Sequence, residues 1–176
     1  MSKIFLLGYM GSGKSYLGKR LAQNLHIDFL DLDELIELKN GMSIAEIFAK
    51  KGEAFFRQTE SDCLKSLKNQ DHKIIALGGG TPCFFDNMDW INEHGVSIYL
   101  KTATDVLVQR LRNEKDKRPL IQQLSERELP DFIENNVANR SHFYEQAHLE
   151  YFVKTGNEGI VEDLTKFLER MTSLVR

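Results

Sequence analysis

Residues 8–15 read Gly8-Tyr9-Met10-Gly11-Ser12-Gly13-Lys14-Ser15, a match to the phosphate-binding template G-x-x-x-x-G-K-[ST]. From average composition, the four fixed positions coincide by chance in roughly 0.6% of chains this long. The flanks strengthen the reading. Ile4-Phe5-Leu6-Leu7 precedes the loop as an apolar run suited to a buried parallel strand. Leu17, Leu21 and Leu25 follow it at helical spacing. Strand, glycine loop and helix in that order let backbone N–H groups and a helix N-terminus converge on a polyphosphate. Gly8, Gly11 and Gly13 allow the tight, open backbone, Lys14 can reach the β- and γ-phosphates, and the Ser15 hydroxyl can ligate Mg²⁺. A nucleoside triphosphate is the expected ligand.

At 176 residues the chain predicts one domain with a core that needs no staples. Hydrophobic residues at 41% and charged residues at 28% describe an ordinary soluble protein. A formal charge of −3 argues against general nucleic-acid binding, though it leaves room for a local basic site. No run of 18 apolar residues and no cationic leader before an apolar stretch occur, so neither a membrane span nor a signal peptide is expected. Cys63, Cys83 and five scattered histidines form no zinc pattern, and the two cysteines form no disulfide framework. The expected compartment is the cytoplasm.

Strand-like runs alternate with helical stretches along the chain. Asp28-Phe29-Leu30-Asp31 reads as a second strand, followed by amphipathic segments at 33–40 and 43–51. A longer helix at 53–68 has Phe56, Cys63, Leu64 and Leu67 near one face. Residues 73–77 form a third strand, stopped by Gly78-Gly79-Gly80, and a short helix at 86–93 leads to a fourth strand at 96–100. Thr104 is placed to cap a helix running to Arg112. From 113 to 125 apolar periodicity weakens, so that segment has little core to bury. Helix returns from 126 to 146 with Pro130 as a candidate break, then a fifth strand at 149–153 and a closing helix at 159–171. This alternation implies a parallel sheet covered on both faces.

In open α/β sheets, ligands bind beyond the C-terminal ends of the strands. Glycines fill the end of the third strand, where an acidic Mg²⁺ partner is often found, so Asp31 and Asp33 at the end of the second strand are the nearest substitutes. One carboxylate could serve the metal and the other an acceptor hydroxyl; alternatively, Asp33 only caps the next helix. Arg57 lies one helical turn from Glu53 and from Glu60. That spacing suits either a guanidinium held for a carboxylate ligand or a solvated ion pair. Gly78-Gly79-Gly80 suits backbone pressed against a ligand, or a plain turn. The stretch from Arg110 to Leu120 carries five cations against two anions and ends at Pro119, which fits a lid over phosphates or a solvated face.

Taken together, these residues resemble the shikimate kinases from Ile4 to the region of Gly159. The resemblance rests on the glycine loop, Asp31-Leu32-Asp33, Gly52-Glu53 leading to Phe56-Arg57 and Glu60, Gly78-Gly79-Gly80, Arg118-Pro119-Leu120, and Arg140 followed by Tyr144. It implies a single P-loop kinase domain spanning residues 1–176: a three-layer α/β sandwich on a five-stranded parallel sheet in the order 2-3-1-4-5. A substrate-binding helical region would span 33–60 and a mobile lid 113–125. It also implies ATP-dependent phosphorylation of the 3-hydroxyl of shikimate, in aromatic amino-acid biosynthesis, by a Mg²⁺-dependent monomer with no nucleic-acid or membrane partner. By the same resemblance, Asp33, Arg57, Gly79 and Arg140 would contact shikimate, with Lys14, Asp33 and Arg118 catalytic. Gly11, Ser12, Gly13, Lys14, Ser15, Tyr16, Arg110 and Arg118 would bind ATP, Arg110 by packing on the adenine. Ser15 would hold Mg²⁺ directly and Asp31 through water. The adenine-side loop at 154–158 departs from the family, being short and without the arginine or proline often found there.

Three other readings compete. A kinase of this fold acting on gluconate or a nucleoside monophosphate would share the loop, but the paired arginines favour a small polyhydroxylated acid. A GTPase-like switch needs a guanine-reading N-K-x-D segment, and the chain has none. A catalytically dead scaffold is disfavoured by the presence of Lys14, Ser15, Asp33 and Arg118 together.

Overall fold

The computed structural model describes residues 3–70, 73–115, 118–153 and 159–174. Its centre is β1 (Lys3–Leu7), whose five residues are all buried. Such a strand can only lie between two apolar layers, and its side chains divide by the pleat. Phe5 and Leu7 pack with residues of α2 (Leu32–Asn40), α3 (Ile44–Lys65) and α4 (Asn87–His94). Ile4 and Leu6 pack on the opposite face with Leu17 and Leu21 of α1 (Lys14–Leu25) and Leu164 and Leu168 of α8 (Ile160–Leu174). Full burial of each such side chain stabilises the fold by about 1.5–3 kcal/mol.

β1 pairs in parallel with β3 (Lys73–Ala76) on one side and β4 (Gly95–Thr102) on the other. β2 (Asp28–Asp31) lies outside β3 and β5 (Leu149–Val153) outside β4, which gives the order β2-β3-β1-β4-β5. Because every pairing is parallel, the phosphate loop after β1, Asp31 at the end of β2 and the glycines after β3 share one edge of the sheet. The expected architecture is the observed one.

Local features account for the element ends. Ser43 and Glu46 form a reciprocal capping box at the start of α3, and Gly52, at φ 81° and ψ 171°, breaks it into the two expected helical segments. Three expectations are corrected. Thr104 does not cap α5 (Thr104–Arg112): it is already helical, Ala103 occupies the cap position without a side-chain bond, and Asp105 accepts from the N–H of Val106 instead. Pro130 does not break α7 (Glu128–Tyr144). It is the third helical residue, where an N–H would have no intrahelical partner. The 113–125 stretch is not without a core, since Ile121 of α6 (Pro119–Gln122) is fully buried among Leu107, Leu111, Leu129 and Ile133. A four-residue helix is too short for apolar periodicity to register.

Candidate active site

The loop between β1 and α1 turns on glycines with positive φ. A Cβ on Gly8 would stand 2.9 Å from the Leu100 carbonyl oxygen, so no larger residue fits there. Lys14 folds back over the loop, donating to the carbonyls of Gly8 at 2.8 Å and Tyr9 at 3.0 Å. Burial pushes its ammonium down to about 8, against the opposing pull of Asp33. Arg110 donates from its guanidinium to the Gly11 carbonyl at 2.9 Å, so in this structure it grips the loop.

At the head of α1, the Ser15 hydroxyl donates to Asp31 Oδ2 at 2.5 Å. Asp31 Oδ1 accepts from the Asp33 N–H at 3.0 Å, which makes Asp31, not Asp33, the cap of α2. The capping alternative for Asp33 therefore fails. Its side chain faces the cleft, where desolvation raises its pKa to about 6; Asp31 and Glu60 push the same way and Lys14 opposes them. The Ser15 hydroxyl and Asp31 carboxylate are hard oxygen donors side by side at the phosphate loop. That set fits Mg²⁺, which takes one or two protein oxygens and completes its shell with phosphate and water. Among the described residues, no group of three or more His, Cys, Asp or Glu is placed to hold a metal alone.

Gly78-Gly79-Gly80 is more than a turn. A Cβ on Gly78 would lie 2.7 Å from Glu60 Oε1 and 3.0 Å from Asp33 Oδ1, and one on Gly80 2.7 Å from an Arg57 terminal nitrogen. The Gly79 carbonyl accepts from the Tyr144 hydroxyl at 2.5 Å and from Arg140 at 3.4 Å. The turn thus draws together side chains from α2, α3 and α7.

Arg57 is buried, and three of its five donors are taken within its own helix. Nε and NH2 bond Glu53 at 3.2 and 3.1 Å, and NH1 bonds Glu60 at 2.9 Å. Glu60 is itself 1% exposed and also accepts from Thr81 at 2.6 Å. The solvated ion-pair alternative fails for Arg57 and Glu60, whereas Glu53, the i,i+4 partner, keeps its side chain 58% exposed. Thr81 was invisible to sequence reasoning, because only the folded turn sets it beside Glu60.

Arg118 bonds Glu114 through Nε and NH2, at 3.0 and 2.6 Å. This partner was missed, although its i,i+4 spacing repeats that of Glu53 and Arg57. Tyr16 is exposed on α1 with the Arg20 guanidinium 4.7 Å from its ring centroid. The cleft has a volume of about 590 Å³ and brings the loop from Met10 to Tyr16 together with Asp31, Asp33, Gly79, Arg110 and Arg118. Asp116, Lys117 and the 154–158 loop lie outside the described residues.

The family model described as "Shikimate kinase" matches residues 10–172 of the chain. The shikimate kinase of Bacteroides fragilis is 41% identical over 175 residues, covering 99% of this chain and 98% of its own. That of Azobacteroides pseudotrichonymphae is 42% identical over 167 residues, with coverages of 93% and 98%. Among solved structures, the shikimate kinase of Bacteroides thetaiotaomicron superposes with a TM-score of 0.89 at 37% identity, covering 98% of each chain. A shikimate kinase from Acinetobacter baumannii, in complex with shikimate, superposes with a TM-score of 0.84 at 32% identity, covering 100% of this chain and 95% of its own.

Proposed function

The chain belongs to the shikimate kinase family, and from that premise we propose how its residues divide the work of ATP-dependent phosphorylation of the shikimate 3-hydroxyl, the family's step in aromatic amino-acid biosynthesis. The observation that carries the assignment is Arg57, a buried guanidinium with two unused donors beside the glycine turn that also touches Asp33. A polyphosphate cradle next to a fixed carboxylate clamp suits a small acidic acceptor.

The N–H groups from Gly11 to Ser15 receive the triphosphate, and Lys14 exchanges the loop carbonyls for the β- and γ-phosphates. Ser15 directly, and Asp31 through water, would hold Mg²⁺, which neutralises charge on the phosphates. Arg57 and Arg140 hold the shikimate carboxylate, while the Gly79 backbone and Asp33 receive ring hydroxyls. Asp33 takes the proton of the 3-hydroxyl as that oxygen bonds the γ-phosphorus and the bond to the β-phosphate oxygen breaks, releasing ADP. Tyr16 and Arg110 flank the nucleotide. One chain supplies every group, so a monomer suffices. Both cysteines are free, which suits the cytoplasm.

ADP release is expected to require both Mg²⁺ and shikimate. A coupled assay offering shikimate, gluconate or a nucleoside monophosphate checks this. Faster turnover of either alternative acceptor would overturn the acceptor assignment.

Arg118 is positioned to supply charge to the transferring phosphoryl group once it exchanges Glu114 for phosphate. The segment that carries it is the proposed lid. Arg118→Ala should lower kcat more than it weakens shikimate binding, and hydrogen exchange at 118–125 should slow on adding an ATP analogue with shikimate. Exchange that is unchanged by ligands would make the segment a fixed surface element.

A further inference from the structure

The glycine turn continues as Thr81-Pro82-Cys83-Phe84-Phe85-Asp86-Asn87, with two adjacent aromatics that part company. Phe84 turns inward and is half-buried, while Phe85 is 61% exposed and adopts a left-handed φ of 52°. That conformation is strained for a bulky residue, and an exposed ring recovers little by burial. The turn is held from both sides. Fully buried Asn87 donates to the Thr81 carbonyl at 2.9 Å and accepts from Ser61 of α3 at 2.7 Å, and Asp86 pairs with Lys65. A clamped turn with its strain at Phe85 is what aims the Phe84 ring.

The ring meets Arg57. Its centroid lies 4.2 Å from the guanidinium carbon, closer than those of Phe56 at 5.0 Å and Phe48 at 6.0 Å. Glu53 and Glu60 bond Arg57 through N–H groups in the guanidinium plane at two acceptor oxygens, so they leave only rotation about the line joining those oxygens unrestrained. A ring within this distance restrains that rotation and keeps water off the charge.

We propose that Phe84 is a positioning residue for the acceptor carboxylate, acting through the face of the Arg57 guanidinium; this deepens, and rests on, the assignment of Arg57 to that carboxylate. Phe84→Leu keeps an apolar filler but removes the π-face. It should raise the KM for shikimate about five- to tenfold, with kcat and the KM for ATP unchanged. Phe84→Tyr retains the face and should stay within about twofold of wild type. Affinity for a shikimate analogue whose carboxylate is replaced by a neutral hydroxymethyl group should not change in Phe84→Leu. On an Arg57→Lys background the Phe84→Leu penalty should largely vanish, because an ammonium has no plane to tilt. Equal weakening of the neutral analogue, a parallel rise in the KM for ATP, or no effect on shikimate would each overturn the proposal. Wild-type enzyme that ignores shikimate would instead sink the functional assignment itself.

Discussion

Asp33→Asn is expected to lower kcat by on the order of 10²-fold or more, with ATP affinity nearly intact. The two side chains have the same shape, but an amide cannot take a proton from the acceptor hydroxyl. Phosphoryl transfer is mainly positioning and electrostatics, so if Asp33 is the proposed base its loss falls on the chemical step. Asp31, not Asp33, accepts the capping bond of α2, so the substitution removes no helix cap. Asp33 is desolvated near Asp31 and Glu60, and neutralising it should leave the ligand-free protein at least as stable as wild type. Single-turnover rates, nucleotide titration and thermal unfolding in EDTA separate these effects. A variant with near-normal kcat would show that Asp33 is not the base.

The second large effect concerns Arg57. Arg57→Ala should cost roughly 2–4 kcal/mol of shikimate binding, about 30- to 1,000-fold, while ATP binding changes little. The alanine variant also leaves the buried Glu60 carboxylate without its cation, so it should unfold at a lower temperature. Arg57→Lys is therefore the sharper test. It keeps the charge beside Glu60 but not the planar fork, and should recover only part of the affinity. Gly80→Ala probes the same contact sterically: its Cβ would stand 2.7 Å from NH1, and displacing that fork should weaken shikimate and spare ATP. Calorimetric titration of each ligand provides the readout. Equal loss of both ligands would place Arg57 on the phosphates or in the folding core.

Several of these groups could be read along the chain, because the interactions that define them are local. Strand, glycine loop and helix are contiguous, Arg57 and its two glutamates share one helix, and alternating elements imply a parallel sheet. The helix through Pro130 misled because proline is disruptive only once a preceding turn exists to be disrupted. Spacing alone left Asp33 as either an acceptor-facing carboxylate or the cap of the next helix, since both uses ask only for an acid at that strand end. What separated the two uses was the bond from the Asp33 N–H to Asp31, which makes Asp31 the cap and leaves the Asp33 side chain on the cleft.

The sequence by itself determined that the chain binds a polyphosphate on a parallel α/β sheet, because periodicity and the glycine loop depend on neighbours within one or two turns. Only the tertiary structure decided that Asp31 caps α2, that Arg110 grips the phosphate loop, and that Thr81, Tyr144 and Phe84 lie against Glu60, Gly79 and Arg57. Those contacts join residues far apart in the chain, and no local pattern records which side chains a folded turn of three glycines will admit.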